Sequence, residues 1–337
     1  MKNLTRTTAT TIAIAILAIA LSPAPQAFAD SHTTDKAAEA TTQKAVLVTG
    51  ASTGIGRKIT EDLAGRGIFV YAGARKDSDM KELNAIKNVM AIQLDVTIQD
   101  EIDAAVATIT KEGRGLYALV NNAGVAVMAP LIEVEESELD FIFDVNIYGP
   151  YRITKAFSPL IIASKGRITT ISSIAGILAG TMYGPYSMSK HAMEAYSDSL
   201  ASEMQRFDVT VSVVEPGSYN SDISATTMKR MKKKGLEIEG SPYEKELRSM
   251  LERDGSRAQY KDPDEVADAV YHALFDENPK MRYMVVPNLQ QAEMTIGRAM
   301  TEMVQLNQDQ TYTFDRETLI KMLDESLAAV ATPKTDD

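Results

Sequence analysis

The sequence predicts an α/β fold: a doubly wound parallel sheet of about seven strands, with a substrate-covering helical insertion and a C-terminal helical extension. Three observations carry that expectation. From Lys44 onward, short apolar runs rich in β-branched residues alternate with helical patterns, as a parallel sheet covered on both faces requires. The first run leads directly into a glycine turn that opens a helix. The residues able to do chemistry fall just past the ends of successive runs, where open parallel sheets bind their ligands.

The strand-like runs are 44–49, 68–73, 89–94, 116–120, 167–172, 209–214 and 282–286, and a long helix is expected from about Pro185 to Phe207. They define one domain over 44–289, within which 218–261 is expected to cover a substrate. Residues 290–337 form an extension: two helices to about Val330, a candidate pocket lid or subunit contact in a homo-oligomer, then a disordered tail. Ahead of the domain, Lys2 and Arg6 precede an apolar run from Thr11 to Leu21, then Ser22-Pro23-Ala24-Pro25 and Ala27-Phe28-Ala29. That pattern predicts a secretory signal over 1–29, cleaved after Ala29, and export to the periplasm; an uncleaved anchor is the alternative. The run is short for a membrane span. Residues 30–43 read as a polar linker.

Composition excludes several classes. The 337 residues carry 35 Lys and Arg against 46 Asp and Glu, a net charge of −11, and loss of the signal would remove only positive charges. So acidic a chain argues against nucleic acid. Without cysteine there is no disulfide framework and no thiol for an oxidising compartment to attack. His32, His191 and His272 form no triad by spacing, no metal-ligand pattern appears, and no Gly-x-Ser-x-Gly elbow surrounds Ser172 or Ser173.

Gly50-Ala51-Ser52-Thr53-Gly54-Ile55-Gly56 follows the first strand and precedes a helix. Glycines let the backbone approach a pyrophosphate, and a helix start supplies free N–H groups and a positive dipole end. Gly50, Ser52, Thr53, Gly54, Ile55 and Gly56 are therefore candidate dinucleotide contacts. The second strand ends in Arg75 and Lys76, with no carboxylate before Asp77. A basic pair there favours a 2′-phosphate, hence NADP over NAD, unless both side chains are merely solvated.

Tyr186 and Lys190 stand four apart, on one face of the expected long helix, and Ser173 lies thirteen residues earlier. A phenol is a weak acid or base at neutral pH, and an ammonium held beside it is expected to lower its pKa.

Thr49-Gly50-Ala51-Ser52-Thr53-Gly54-Ile55-Gly56, Asn121-Asn122-Ala123-Gly124, Asn146, Ser173, Tyr186-x-x-x-Lys190 and Pro216-Gly217 occur in one order. In that order and setting the chain resembles the short-chain dehydrogenase/reductases from about Lys44 to Pro287, in particular the single-domain members acting on retinoids, steroids and related hydroxy compounds. The resemblance implies a Rossmann-like fold and hydride transfer between a nicotinamide cofactor and a secondary alcohol or ketone, with Tyr186 as acid/base. It implies that Ser173, with Ser172 as competitor, holds the substrate oxygen. Lys190 would bond the nicotinamide ribose, and Asn146 would kink a helix and hold a water of the proton path. Asp95, followed by Val96, would lie beside the adenine; the alternative for Asp95 is a helix N-cap. Asn122, Ala123 and Gly124 would end the fourth strand where the cofactor crosses, Asn122 tying strands together. Pro216, Gly217 and Ser221 would meet the nicotinamide, Ser221 standing where relatives often carry threonine. A non-catalytic NADP-binding sensor or scaffold is the other reading of such a chain.

The insertion contains Met228-Lys229-Arg230-Met231-Lys232-Lys233-Lys234. Its methionines suit an adaptable apolar pocket for a lipophilic substrate, or plain core. Its cations are expected to be a solvated face, with a membrane surface or an acyl carrier as the alternative contact.

Overall fold

The computed structural model describes residues 43–235, 238–252 and 255–331. The expected signal, the linker up to residue 42 and tail residues 332–337 lie outside the described residues.

The strands are β1 Ala45–Val48, β2 Phe69–Ala74, β3 Val89–Gln93, β4 Ala118–Asn121, β5 Arg167–Ile171, β6 Thr210–Pro216 and β7 Arg282–Val285. Each falls within two residues of its expected run. All neighbours pair in parallel, in the order β3-β2-β1-β4-β5-β6-β7. Order reverses at β1, which opens the crevice between β1 and β4 where such sheets take ligands.

Both faces are covered, which is why the strands read as unbroken apolar runs. Val46 and Val48 point to one core with Ile59 and Leu63 of α1 (Gly54–Gly65) and Val266 and Val270 of α9 (Asp264–Phe275). Ala45 and Leu47 point to the other, with Ile102 and Ile109 of α3 (Gln99–Glu112) and Ile153 and Phe157 of α5 (Gly149–Ala163). A short α2 (Asp77–Asn84) joins β2 to β3.

Before α5, α4 (Glu136–Phe143) runs through a π-helical turn, Asp144–Tyr148. Pro150 explains the turn: it has no N–H for the carbonyl of Asn146 four residues back, so the regular ladder cannot continue. Asn146 is thus the residue at a helix irregularity that the resemblance implied. The long helix α6 (Gly184–Met204) starts on Pro185 in its first turn.

The segment after β6 holds two helices, α7 (Ile223–Lys234) and α8 (Glu244–Leu251). Met228, Met231 and Met250 pack with Met182 and Leu247 in a cluster of their own. The basic run is only partly a solvated face. Lys232 and Lys233 are exposed, but Arg230 reaches Glu138 at 2.8 Å, and Lys234 reaches both Glu135 (2.8 Å) and Glu138 (2.7 Å). Two helices, α10 (Leu289–Asn307) and α11 (Arg316–Ala331), follow β7 as expected. Gln291 ties α10 to the loop after β6 by accepting the Ser218 N–H at 2.9 Å.

Candidate active site

A cavity of about 720 Å³ lies past the carboxyl ends of β1 to β6, walled by Gly50, Ala74, Leu94, Asn122, Ser172 and Pro216 among others. The first wall is the glycine turn. Gly50 sits at φ +64°, where a Cβ would come within 2.9 Å of the Ala123 Cα. Thr49 and Asn122 lock the turn to β4. Thr49 Oγ1 accepts the N–H groups of Asn122 and Ala123, each at 3.0 Å, and Asn122 Nδ2 donates to the carbonyls of Thr49 (2.9 Å) and Gly50 (3.1 Å). Asn122 therefore holds two strand ends together. α1 has no side-chain cap on Thr53 and no acidic residue in its first turn, so the donors of Gly54, Ile55 and Gly56 face the cavity with no carboxylate competing for them. That donor set fits the pyrophosphate of a dinucleotide.

Further along, Arg75, Asp95 and Val96 line the wall. Arg75 is mostly exposed and lies 3.5 Å from Asp95. Burial pushes the Asp95 carboxyl up, but Thr97 donates to it through N–H (2.9 Å) and Oγ1 (2.7 Å). With Arg75 added, these hold it below the usual range. Asp95 does not cap α3, whose N-cap is Ile98. Lys76 is not brought to the cavity: it is exposed and off the wall, because β2 has ended and α2 begins at the next residue.

The part of the wall that carries Ser173, Tyr186 and Lys190 is built by β5 and α6. Ser173 is in extended backbone, caps the short 3-10 turn Ile174–Gly176 by accepting the Ala175 N–H (3.1 Å), donates to the Pro216 carbonyl (3.4 Å), and lies close enough to Tyr186 to favour its phenolate. Ser172 is buried, and its Oγ has no hydrogen-bond partner among the described residues. Of the two candidate serines, both on the wall, Ser173 is the one that bears on the Tyr186 phenol. Asn146 is fully engaged: Oδ1 accepts the Val125 N–H at 2.8 Å, and Nδ2 donates to the Val125 carbonyl (2.9 Å) and Ser189 Oγ (3.0 Å). It fixes the chain beside the cavity.

One expectation needs correction. Burial pushes the Tyr186 phenol above its ordinary pKa, and Ser173 and the charge of Arg257 only partly offset it. Lys190 does not pull it down. Its Nζ lies 5.7 Å from the Tyr186 ring centre, donates to the Ile171 carbonyl at 3.0 Å, and is itself brought down to about 8 by burial, against the pull of Glu194.

Pro216, Gly217 and Ser221 also line the cavity, Ser221 against the glycine turn, where a Cβ on Gly54 would lie 3.2 Å from the Ser221 Cβ. Sequence reasoning missed their neighbours. Tyr219 is buried and donates to Glu265, pinning this loop to α9. Arg257 lines the wall from the segment after α8, and Met294 and Arg298 line it from α10. Gly217 was a usable signal: a Cβ there would meet Pro287 Cδ at 3.1 Å, marking the close approach of the α10 region. Arg257 had none, being one arginine in a polar stretch.

Comparison with known proteins agrees with this geometry. The short chain dehydrogenase family matches residues 44–232. The chain is 32% identical over 274 residues to the mitochondrial D-beta-hydroxybutyrate dehydrogenase of Mus musculus, covering 73% of this chain and 78% of that one. It is 34% identical over 256 residues to the NADPH-dependent 3-dehydrocapnine reductase of Ornithobacterium rhinotracheale, covering 72% and 87%. A short-chain dehydrogenase structure from Streptomyces avermitilis superposes with a TM-score of 0.66 at 29% identity, covering 80% of this chain and 96% of that one. The chain belongs to the short-chain dehydrogenase/reductase family of oxidoreductases.

Proposed function

We propose that the protein is an NADP(H)-dependent alcohol dehydrogenase or ketone reductase acting on a lipophilic secondary alcohol or its ketone, with Tyr186 as the acid/base. The observation that carries this reading is that Ser173, Tyr186 and Lys190 line one cavity together with the uncapped start of α1. A nicotinamide dinucleotide supplies or accepts the hydride. The turn 50–56 would hold its pyrophosphate, Asp95 and Val96 its adenosine, Arg75 a 2′-phosphate, and Lys190, Pro216, Gly217 and Ser221 its nicotinamide half. NADP is favoured because Arg75 is the only charged residue of the β2–α2 junction on the wall.

The remaining chemistry belongs to the chain. Ser173 fixes the substrate oxygen. Tyr186 gives its proton to that oxygen as a ketone is reduced, or takes one from it as an alcohol is oxidised. Because burial keeps the phenol protonated, the form at hand near neutrality is the one that ketone reduction consumes. Met128, Leu178, Ile223 and Met294 on the wall suit an apolar substrate body.

A panel of ketones and secondary alcohols, followed by cofactor absorbance, tests the reading. Turnover of at least one apolar member, lost in Tyr186→Phe, is expected. Tight NADP binding with no turnover anywhere would instead favour the non-catalytic sensor or scaffold. The amino-terminal pattern supports an exported enzyme, which fractionation of cells expressing the full chain would check.

A further inference from the structure

Four arginines line the cavity, and three of them face carboxylates. Arg75 lies 3.5 Å from Asp95, Arg230 2.8 Å from Glu138, and Arg298 2.8 Å from Glu302. Arg257 differs. It lines the same wall and is half-buried, and no carboxylate lies within ion-pair distance of it among the described residues. Its guanidinium has a loose contact with the Tyr260 ring, 5.8 Å from the ring centre.

The segment that carries it is held in place. Gly255 sits at φ +74°, so close to α7 that a Cβ would lie 2.7 Å from the Ser224 carbonyl oxygen and 2.9 Å from Ala225 Cα. Only glycine fits that approach without displacing the helix. A turn follows, with the Tyr260 N–H donating to the Arg257 carbonyl at 2.9 Å. Beyond it the Asn220 N–H bonds the Lys261 carbonyl (2.8 Å), and Asn220 Nδ2 bonds Asp262 (2.9 Å). The arginine is thus clasped on both sides to the cavity rim.

A half-buried guanidinium facing a cavity attracts an anion, and its planar fork matches a carboxylate with two parallel hydrogen bonds. A dianion would call for further free cations. Arg230 and Arg298 are paired, Arg75 is assigned above to the cofactor, and the Lys190 ammonium is bound to the Ile171 carbonyl. Arg257 and Tyr186 line the same cavity, and the charge of the guanidinium favours the phenolate there. The uncapped start of α1 supplies separate donors for a pyrophosphate.

We propose that Arg257 is the anion anchor of the substrate subsite, and that the substrate is an oxo or hydroxy acid with an apolar chain whose carboxylate pairs with this guanidinium. This deepens the oxidoreductase reading above and rests on it. Arg257 is a specificity residue here, and the proton remains the task of Tyr186.

The test uses the full chain loaded with NADP. Binding of 2-, 3- and 4-oxohexanoate and of their methyl esters is measured by calorimetry, and reduction of each is followed with NADPH. At least one acid should bind more than about tenfold tighter than its ester. Arg257→Gln should weaken that acid by about 10- to 100-fold, the value of a charge-assisted pair. Arg257→Lys should recover part of the loss, and thermal unfolding will show whether either variant remains folded. Acids and esters that bind alike to the unsubstituted protein would overturn the proposal, as would a variant that loses NADP rather than acid. The two readings fail separately. Reduction of ketones with no preference for acids sinks the anchor alone, whereas acid binding through Arg257 with no turnover sinks the enzymatic reading.

Discussion

Arg282 reaches from β7 to Glu215 on β6, Nε to Oε1 at 2.7 Å, and the same guanidinium lies 3.0 Å from Glu194 and 3.1 Å from Asp198 on α6. Three carboxylates share one cation, and Glu194 stands one helical turn from Lys190 on α6. Burial first, and the neighbouring Glu194 second, push the Glu215 carboxyl up to about 8, against the pull of Arg282. Its folded pKa therefore lies above the unfolded value, so its contribution to stability is present at low pH and lost as pH rises toward 8.

The protein should accordingly lose stability from about pH 5 to pH 8, by up to about 1.4 kcal/mol per pH unit from this proton alone. Glu215→Gln keeps the shape, removes the titration and leaves Arg282 with Glu194 and Asp198. Thermal unfolding across that range should be flatter in the variant. An unchanged slope would mean that Glu215 is ionised throughout.

The raised Tyr186 separates the two reaction directions in pH. Reduction needs the phenol and should fall as pH rises through its pKa, while oxidation needs the phenolate and should rise over the same span. Rate profiles of kcat in both directions should therefore cross, with oxidation optimal on the alkaline side. Coincident optima would show that another group governs proton transfer.

Tyr186→Phe should lower kcat by about 10²- to 10⁴-fold, the usual weight of a general acid/base. NADP affinity, measured by fluorescence or calorimetry, should fall by no more than about tenfold, since one lost neutral contact is worth about 0.5–1.5 kcal/mol at most. Retained turnover would remove Tyr186 from the chemistry.

What was legible in the sequence was whatever local pattern dictates. β1 and β4 are buried on both faces, so their residues had to be apolar, and the runs showed it. The four-residue step from Tyr186 to Lys190 sets both on α6 facing the cavity. What was hidden depends on contacts distant in sequence. Arg282 meets Glu215 only because β6 and β7 pair, and Arg230 meets Glu138 only because α7 folds back on α4. The expected pull of Lys190 on the Tyr186 pKa failed for the same reason: spacing places its backbone, but the Ile171 carbonyl decides where its ammonium goes. The π turn at Asn146 could have been read locally from Pro150.

Arg75→Asp tests the cofactor preference. Arg75 is mostly exposed and Asp95 keeps its bonds to Thr97, so the variant should stay folded despite the new like-charge pair with Asp95. It places a carboxylate where a 2′-phosphate would lie, and next to Asp95 that negative charge should be strongly repulsive. The ratio of kcat/KM for NADP over NAD should fall by at least about tenfold, or 1.4 kcal/mol. An undiminished ratio would show that the 2′-phosphate, if bound at all, lies elsewhere.

Gly50→Ala tests the turn proposed to cradle the cofactor. The substitution puts a Cβ on a residue at φ +64° and drives it to 2.9 Å from the Ala123 Cα, a backbone atom held by the Thr49 and Asn122 hydrogen bonds. The backbone conformation alone costs about 1–3 kcal/mol in a side-chain-bearing residue. The clash cannot be relieved by a rotamer, so turn and β4 must part and the uncapped N–H groups of α1 shift away from the pyrophosphate. Both readouts should move together: a lower melting temperature without ligand, and NADP binding weakened by more than about tenfold. Lower stability with intact affinity would mean that the turn supports the sheet without cradling the dinucleotide.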